Sequence, residues 1–216
     1  MVRLLSVGIT CLSTIIFLVP AVLIWQYFVL KQRSIRKWFM VLLLAIYFMA
    51  VFSVTGLPSA YSLRFNLSLN LVPFADIVNN PAEYVKNTLL NIVLFMPLGF
   101  LLPVIWRDYR SAKTMVIVGF AVSFVIETLQ VFTFRHTDVD DLIMNTLGTV
   151  AGYAVAKRIS FGMLLKMPKD NGAVLAKYEP VIVFGMVFLI GFLLKPLVEN
   201  AVWEAVWSGT WWEHIR

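Results

Sequence analysis

Uncharged apolar runs recur along this chain at close to the length of a bilayer crossing, which leaves no sizeable stretch for a water-soluble core. A transmembrane helix needs ~20 consecutive apolar residues to cross ~30 Å of hydrocarbon. The candidate spans read as Leu4–Leu30, Trp38–Gly56, Leu89–Trp106, Met115–Phe134, Leu142–Ala156 and Pro180–Val198. The first is longer than the core of a cleavable signal peptide and has no small-x-small cleavage site, so it reads as an anchored helix that Pro20 can kink. Composition agrees: 60% of the 216 residues are apolar and 14% charged, against about half and about a quarter in soluble domains. The expected fold is all-α, a polytopic transmembrane helical bundle of about six spans in the cell membrane.

Charge sets the expected orientation. A formal net charge of +6 would point a soluble protein toward nucleic acid, but here the basic residues lie between apolar runs. There they fix topology and meet anionic membrane lipid, and no nucleic-acid partner is expected. Lys31, Arg33, Arg36 and Lys37 follow the first span, Arg107, Arg110 and Lys113 the third, and Lys157, Arg158, Lys166, Lys169 and Lys177 the fifth. The intervening loops balance Arg64 and Lys86 with Asp76 and Glu83, and outnumber Arg135 with Asp138, Asp140 and Asp141. Alternate loops are therefore cytoplasmic, and both termini are extracytoplasmic. Cys11 is the only cysteine, so neither an intrachain disulfide nor a cysteine metal site can form.

The polar residues at membrane depth gather toward the outer side. Glu127 and Gln130 share one face near the end of the fourth span. A carboxylate there is costly to insert, so it should face protein or a wet cavity, either as a site or as an interhelical hydrogen bond. Arg135, His136, Asp138, Asp140 and Asp141 crowd the following turn. Asp141, Asn145, Gly148 and Gly152 then fall on one stripe of the fifth span, whose glycines permit close approach of another helix. Asp138 or Asp140 can equally cap that helix. Asn87 and Asn91 lie one turn apart in the third span, before the kinking proline of FMPLG. Arg135 offers a fork for a carboxylate or phosphate, or a salt bridge to a neighbouring aspartate. His136 reads as a solvated turn residue. Asp-x-Asp-Asp arises easily by chance, so no metal ligand is assigned, and no cofactor motif is present.

Several separated motifs carry a resemblance. NLVPF (Asn70 to Phe74), NIVLFMPLGFLLP (Asn91 to Pro103), E-x-x-Q with Arg135, and DVDDLIMNTLGTVAGY (Asp138 to Tyr153) resemble the VanZ-like membrane protein family in order and spacing. The resemblance covers about Trp38 to Lys157. It divides the chain into an additional N-terminal helix with its basic loop (1–37), a VanZ-like core (38–157), and a basic loop, last helix and tail (158–216). It implies that Asn91, Glu127, Gln130, Arg135, Asp138, Asp140, Asp141 and Asn145 occupy the family's polar positions. It also implies a link to lowered susceptibility to glycopeptide antibiotics of the teicoplanin type in Gram-positive bacteria, without implying a reaction. In the tail, Trp203, Trp207, Trp211 and Trp212 are expected to lie at the outer interface.

Three functions compete on these residues. A binding protein would engage a cell-envelope ligand, a lipid-linked cell-wall precursor or the glycopeptide, at the outer polar pocket. A membrane-embedded enzyme acting on such a precursor would use Glu127 as general base. A small-solute or proton-coupled transporter lacks a continuing polar path, since Met115 to Phe124 offers only Ser123. The topology is tested by fusing a reporter active on only one side of the membrane after Arg110 and after Arg135. Opposite signals are expected, and equal signals would remove the arrangement.

Overall fold

In a computed structural model of the chain, the residues described are 14–56, 58–61, 63, 65, 69–75, 77, 80–133, 137–159, 174–194, 196–198, 200, 201 and 204. The expected Trp-rich tail, Arg135 and His136 lie outside them. The fold is a helical bundle of α1 (Thr14–Val29), α2 (Ile35–Thr55), α3 (Pro81–Ile105), α4 (Ala112–Gln130), α5 (Val139–Ile159) and α6 (Glu179–Leu189). The last turn of α1, Trp25–Val29, is π-helical, as is Ile190–Leu194, which continues α6. Two short strands, β1 (Leu69–Asn70) and β2 (Thr137–Asp138), pair in parallel, with Leu69 opposite Thr137 and Asn70 opposite Asp138.

Ile35–Thr55, Pro81–Ile105, Ala112–Gln130 and Leu175–Val198 are each long and apolar enough to cross a membrane. The expected count of about six is thus more than these four stretches supply by themselves. Helix α1 is a shorter apolar helix, and α5 carries Asp140, Asp141, Lys157 and Arg158 at its ends with polar and small residues between. What compensates α5 is shelter: it packs most extensively on α3 and next on α4.

That packing is backbone against backbone. A Cβ added to Gly152 would lie 1.9 Å from the Met96 carbonyl oxygen, one on Gly148 2.3 Å from that of Ile92, and one on Gly99 1.8 Å from that of Thr149. Lipid tails remove the hydrophobic drive that joins helices in water, so close van der Waals contact of this kind is what association depends on. Helix boundaries follow local chemistry. Gly56, at φ 66, ends α2 in the left-handed region, and Pro81 opens α3, where its missing N–H leaves nothing unsatisfied. Helix α3 runs longer than the expected Leu89–Trp106 because Asn80 and Glu83, joined by a 2.7 Å hydrogen bond, organise its first turn ahead of the apolar run.

The opposite end of the bundle holds a buried ionic cluster. Glu179 is fully buried and accepts from Trp106 Nε1 at 2.9 Å, from Lys37 Nζ at 3.3 Å and from Gln26 Nε2. Lys37, a loop residue by sequence, lies in the first turn of α2 with 1% exposure. A buried ion pair persists only with good geometry and additional hydrogen bonds, and here these join α1, α2, the end of α3 and the start of α6.

If the α3–α5 contact organises the fold, Gly152→Val should lower the melting temperature of the detergent-solubilised chain by several degrees, through overpacking of roughly 1–3 kcal/mol or more. Gly185→Ala, where a Cβ meets nothing within 4 Å, should leave it unchanged. Equal shifts would remove the contact as the determinant.

Candidate functional site

The start of α3, the end of α4 and the start of α5 meet at one end of the bundle, and residues 69–74, from the chain between α2 and α3, lie over them. Asp138 ends β2 and caps α5: its Oδ1 accepts the Asp140 N–H at 2.9 Å, satisfying one of the amides that a helix start leaves open. Its Oδ2 accepts Asn70 Nδ2 at 3.2 Å, adding a side-chain link to the β1–β2 pairing. Four residues on, the Phe74 N–H donates to both oxygens of Asp140 at 3.1 and 2.9 Å. Phe74 has φ 62, a region that a residue with a bulky side chain rarely adopts. The NLVPF segment is thereby tied to the acidic turn at both of its ends.

Beneath this strap the helices exchange side-chain bonds. Asn91 of α3 donates through Nδ2 to Asp141 Oδ1 of α5. Glu127 of α4, 5% exposed, accepts the Asp138 N–H at 3.3 Å through Oε2, while its carbonyl accepts the Thr137 hydroxyl at 3.1 Å. One turn deeper, Asn145 Nδ2 donates to Ser123 Oγ at 2.9 Å. Asn145 is 3% exposed, and its Oδ1 has no hydrogen-bond partner among the described residues. The Tyr84 hydroxyl is buried beside Thr88 and Asp140.

Asn91, Glu127, Asp138, Asp140, Asp141 and Asn145 are therefore gathered at one end of the bundle. Gln130 departs from the expected grouping. It is buried, but its Nε2 donates to the Thr55 carbonyl at 3.0 Å, the last residue of α2, so it closes an open helix C-terminus. Asn87, one turn from Asn91, is exposed. The sequence marks Asn70 and Phe74 only as the ends of the NLVPF motif and Ser123 only as an isolated polar residue of α4, and it singles out neither Thr137 nor Tyr84. The Asp140 and Asp138 interactions with the strap span 66 and 68 residues, and no helical periodicity reports contacts of that kind.

The carboxylates do not converge on a metal: among the described residues no group of three or more His, Cys, Asp or Glu is placed to hold one. They are met instead by amide donors on separate elements. Chemically the cluster is rich in acceptors, so a guest that supplies hydroxyl or ammonium donors suits it.

The Asn91–Asp141 contact is tested by a double-mutant cycle on unfolding. Asn91→Ala and Asp141→Ala should couple by about 0.5–3 kcal/mol, whereas Asn87→Ala and Asp141→Ala should add. Additivity in both pairs would remove the bond as a structural element.

Among known proteins, a family model described as VanZ/LLP1 matches residues 39–165. No curated protein and no solved structure matches the chain. The matched segment contains all of α3, α4 and α5 and both short strands, hence every polar contact described at this end of the bundle. A match of that extent, over more than half of the chain, makes this membrane-spanning helical bundle a member of the VanZ/LLP1 family.

Proposed function

We propose that the chain is a multi-pass protein of the cell membrane that binds a cell-envelope ligand at its acidic end. By doing so it lowers susceptibility to glycopeptide antibiotics of the teicoplanin type. The carrying observation is the Asn145 carboxamide, buried to 3% exposure with an Oδ1 that no described residue pairs, next to Ser123 and within the cluster that contains Glu127 and Asp141. An unmet acceptor in a buried place is unfavourable by about 1–3 kcal/mol, and a donor from a guest removes that penalty. Sugar hydroxyls and amino groups are such donors, and both a glycopeptide and a lipid-linked cell-wall precursor can present them. The positive-inside pattern supports an outward-facing site, since the acidic turn lies at the opposite end from Lys37, Arg107 and Lys177.

A membrane enzyme acting on the same precursor is the competing reading, with Glu127 as general base. The binding reading is preferred because the Glu127 carboxylate is already engaged with the Asp138 amide.

Deleting the gene should raise glycopeptide susceptibility, and Asn145→Leu in a stably inserted protein should reproduce the effect. Loss of one buried hydrogen bond to the ligand is expected to weaken binding by roughly tenfold. Unchanged susceptibility on deletion would end the proposal, as would unchanged binding by the Asn145 variant.

A further inference from the structure

A second feature lies on the membrane-facing side of the bundle, away from the acidic turn. Phe48 of α2, Leu98 of α3, Val122 and Val125 of α4, and Phe184 of α6 line a groove of about 200 Å³. Its floor is firm, because Phe48 and Phe184 meet edge to face with centroids 5.1 Å apart. Its mouth is open sideways, where Val125 and Val181 are exposed. Among the described residues that line it, Tyr109 alone carries a polar side-chain group, in the short 3-10 turn Arg107–Tyr109 between α3 and α4.

This distribution restricts the occupant. It must be apolar along most of its length and polar at one end, the end marked by Tyr109. A groove with apolar walls that opens sideways toward lipid suits a hydrocarbon chain. The polar end is also strongly basic. Arg107 and Lys113 are exposed on either side of Tyr109, and exposed Lys177 precedes Pro180, another lining residue. Asp108 is the one acid in that turn, and the nearby Glu179 is buried against Lys37. Basic residues at the membrane surface attract anionic headgroups.

We infer that this groove is a lipid site that seats one acyl chain of an anionic phospholipid, with its phosphodiester held at the Arg107, Lys113 and Lys177 rim. The tyrosine hydroxyl lies at the boundary between tail and headgroup, where amphipathic rings settle. The site joins α6, which lies outside the VanZ/LLP1 segment, to α2, α3 and α4 within it. The lipid completes the surface between them.

The test uses the full-length chain, purified in detergent with phosphatidylglycerol or phosphatidylcholine and examined by native mass spectrometry. One phosphatidylglycerol should be retained in preference to phosphatidylcholine. Replacing Arg107, Lys113 and Lys177 by glutamine should reduce that preference by about fivefold for each charge removed. Ala121→Phe, which fills the groove from α4, should abolish retention of both lipids while the circular dichroism spectrum is kept. Equal retention of the two lipids by the unaltered chain would overturn the headgroup assignment, and full retention by Ala121→Phe would overturn the groove. Should Ala121→Phe fail to fold, a phosphatidylglycerol with a photoreactive acyl chain decides on the unaltered protein. Crosslinks mapping to 118–125 and 180–184 support the site, and crosslinks confined to other faces, or to a second copy of the chain, reject it.

Discussion

The close contact between α3 and α5 is the constraint on which the rest of the structure hangs. With Gly99, Gly148 and Gly152 each pressed against the carbonyl of the facing helix, the two backbones approach as near as polypeptide allows. Only at that separation does the short Asn91 side chain reach Asp141. The same contact shelters α5, the least apolar of the long helices, from the surrounding lipid, and so lets a helix that starts with Asp140 and Asp141 exist at membrane depth.

From that contact the two ends of the bundle develop in opposite ways. At the acidic end, polar groups are shared among α3, α4, α5 and the strap from Asn70 to Phe74, so that no carboxylate belongs to a single element. At the basic end one carboxylate, Glu179, collects donors from α1, α2 and the residue after α3. The first arrangement leaves a buried acceptor, Asn145 Oδ1, without a hydrogen-bond partner among the described residues. The second engages both oxygens of Glu179 and acts as a staple, holding the helices on either side of the VanZ/LLP1 segment to it. A polar cluster shared among helices and strap and a carboxylate that fastens helices thus occupy separate ends of one protein.

The bilayer made part of this legible in advance. The helical character of the chain and the shared depth of Glu127, Asp141, Asn145 and Asn91 follow from the one-dimensional penalty of placing each residue at a given depth, which can be read along the chain. The GTVAG stripe of α5 was visible for the same reason, because a helix repeats its face every few residues. Lys37 was misplaced as a loop charge and Glu179 went unnoticed, because each alone looks like a solvated end residue. Only the other explains its burial.

The sequence by itself therefore determined a polytopic helical bundle, its alternating charges, and which helices carry polar residues to the same depth. Tertiary structure alone decided which of them touch. It sent Gln130 to the end of α2 instead of the acidic cluster, laid Asn70 and Phe74 across Asp138 and Asp140, and brought Gln26 to Glu179 over 153 residues. Depth is a property of each residue against its solvent, whereas partnership depends on how helices cross and where loops settle, and those are fixed by packing between distant parts of the chain.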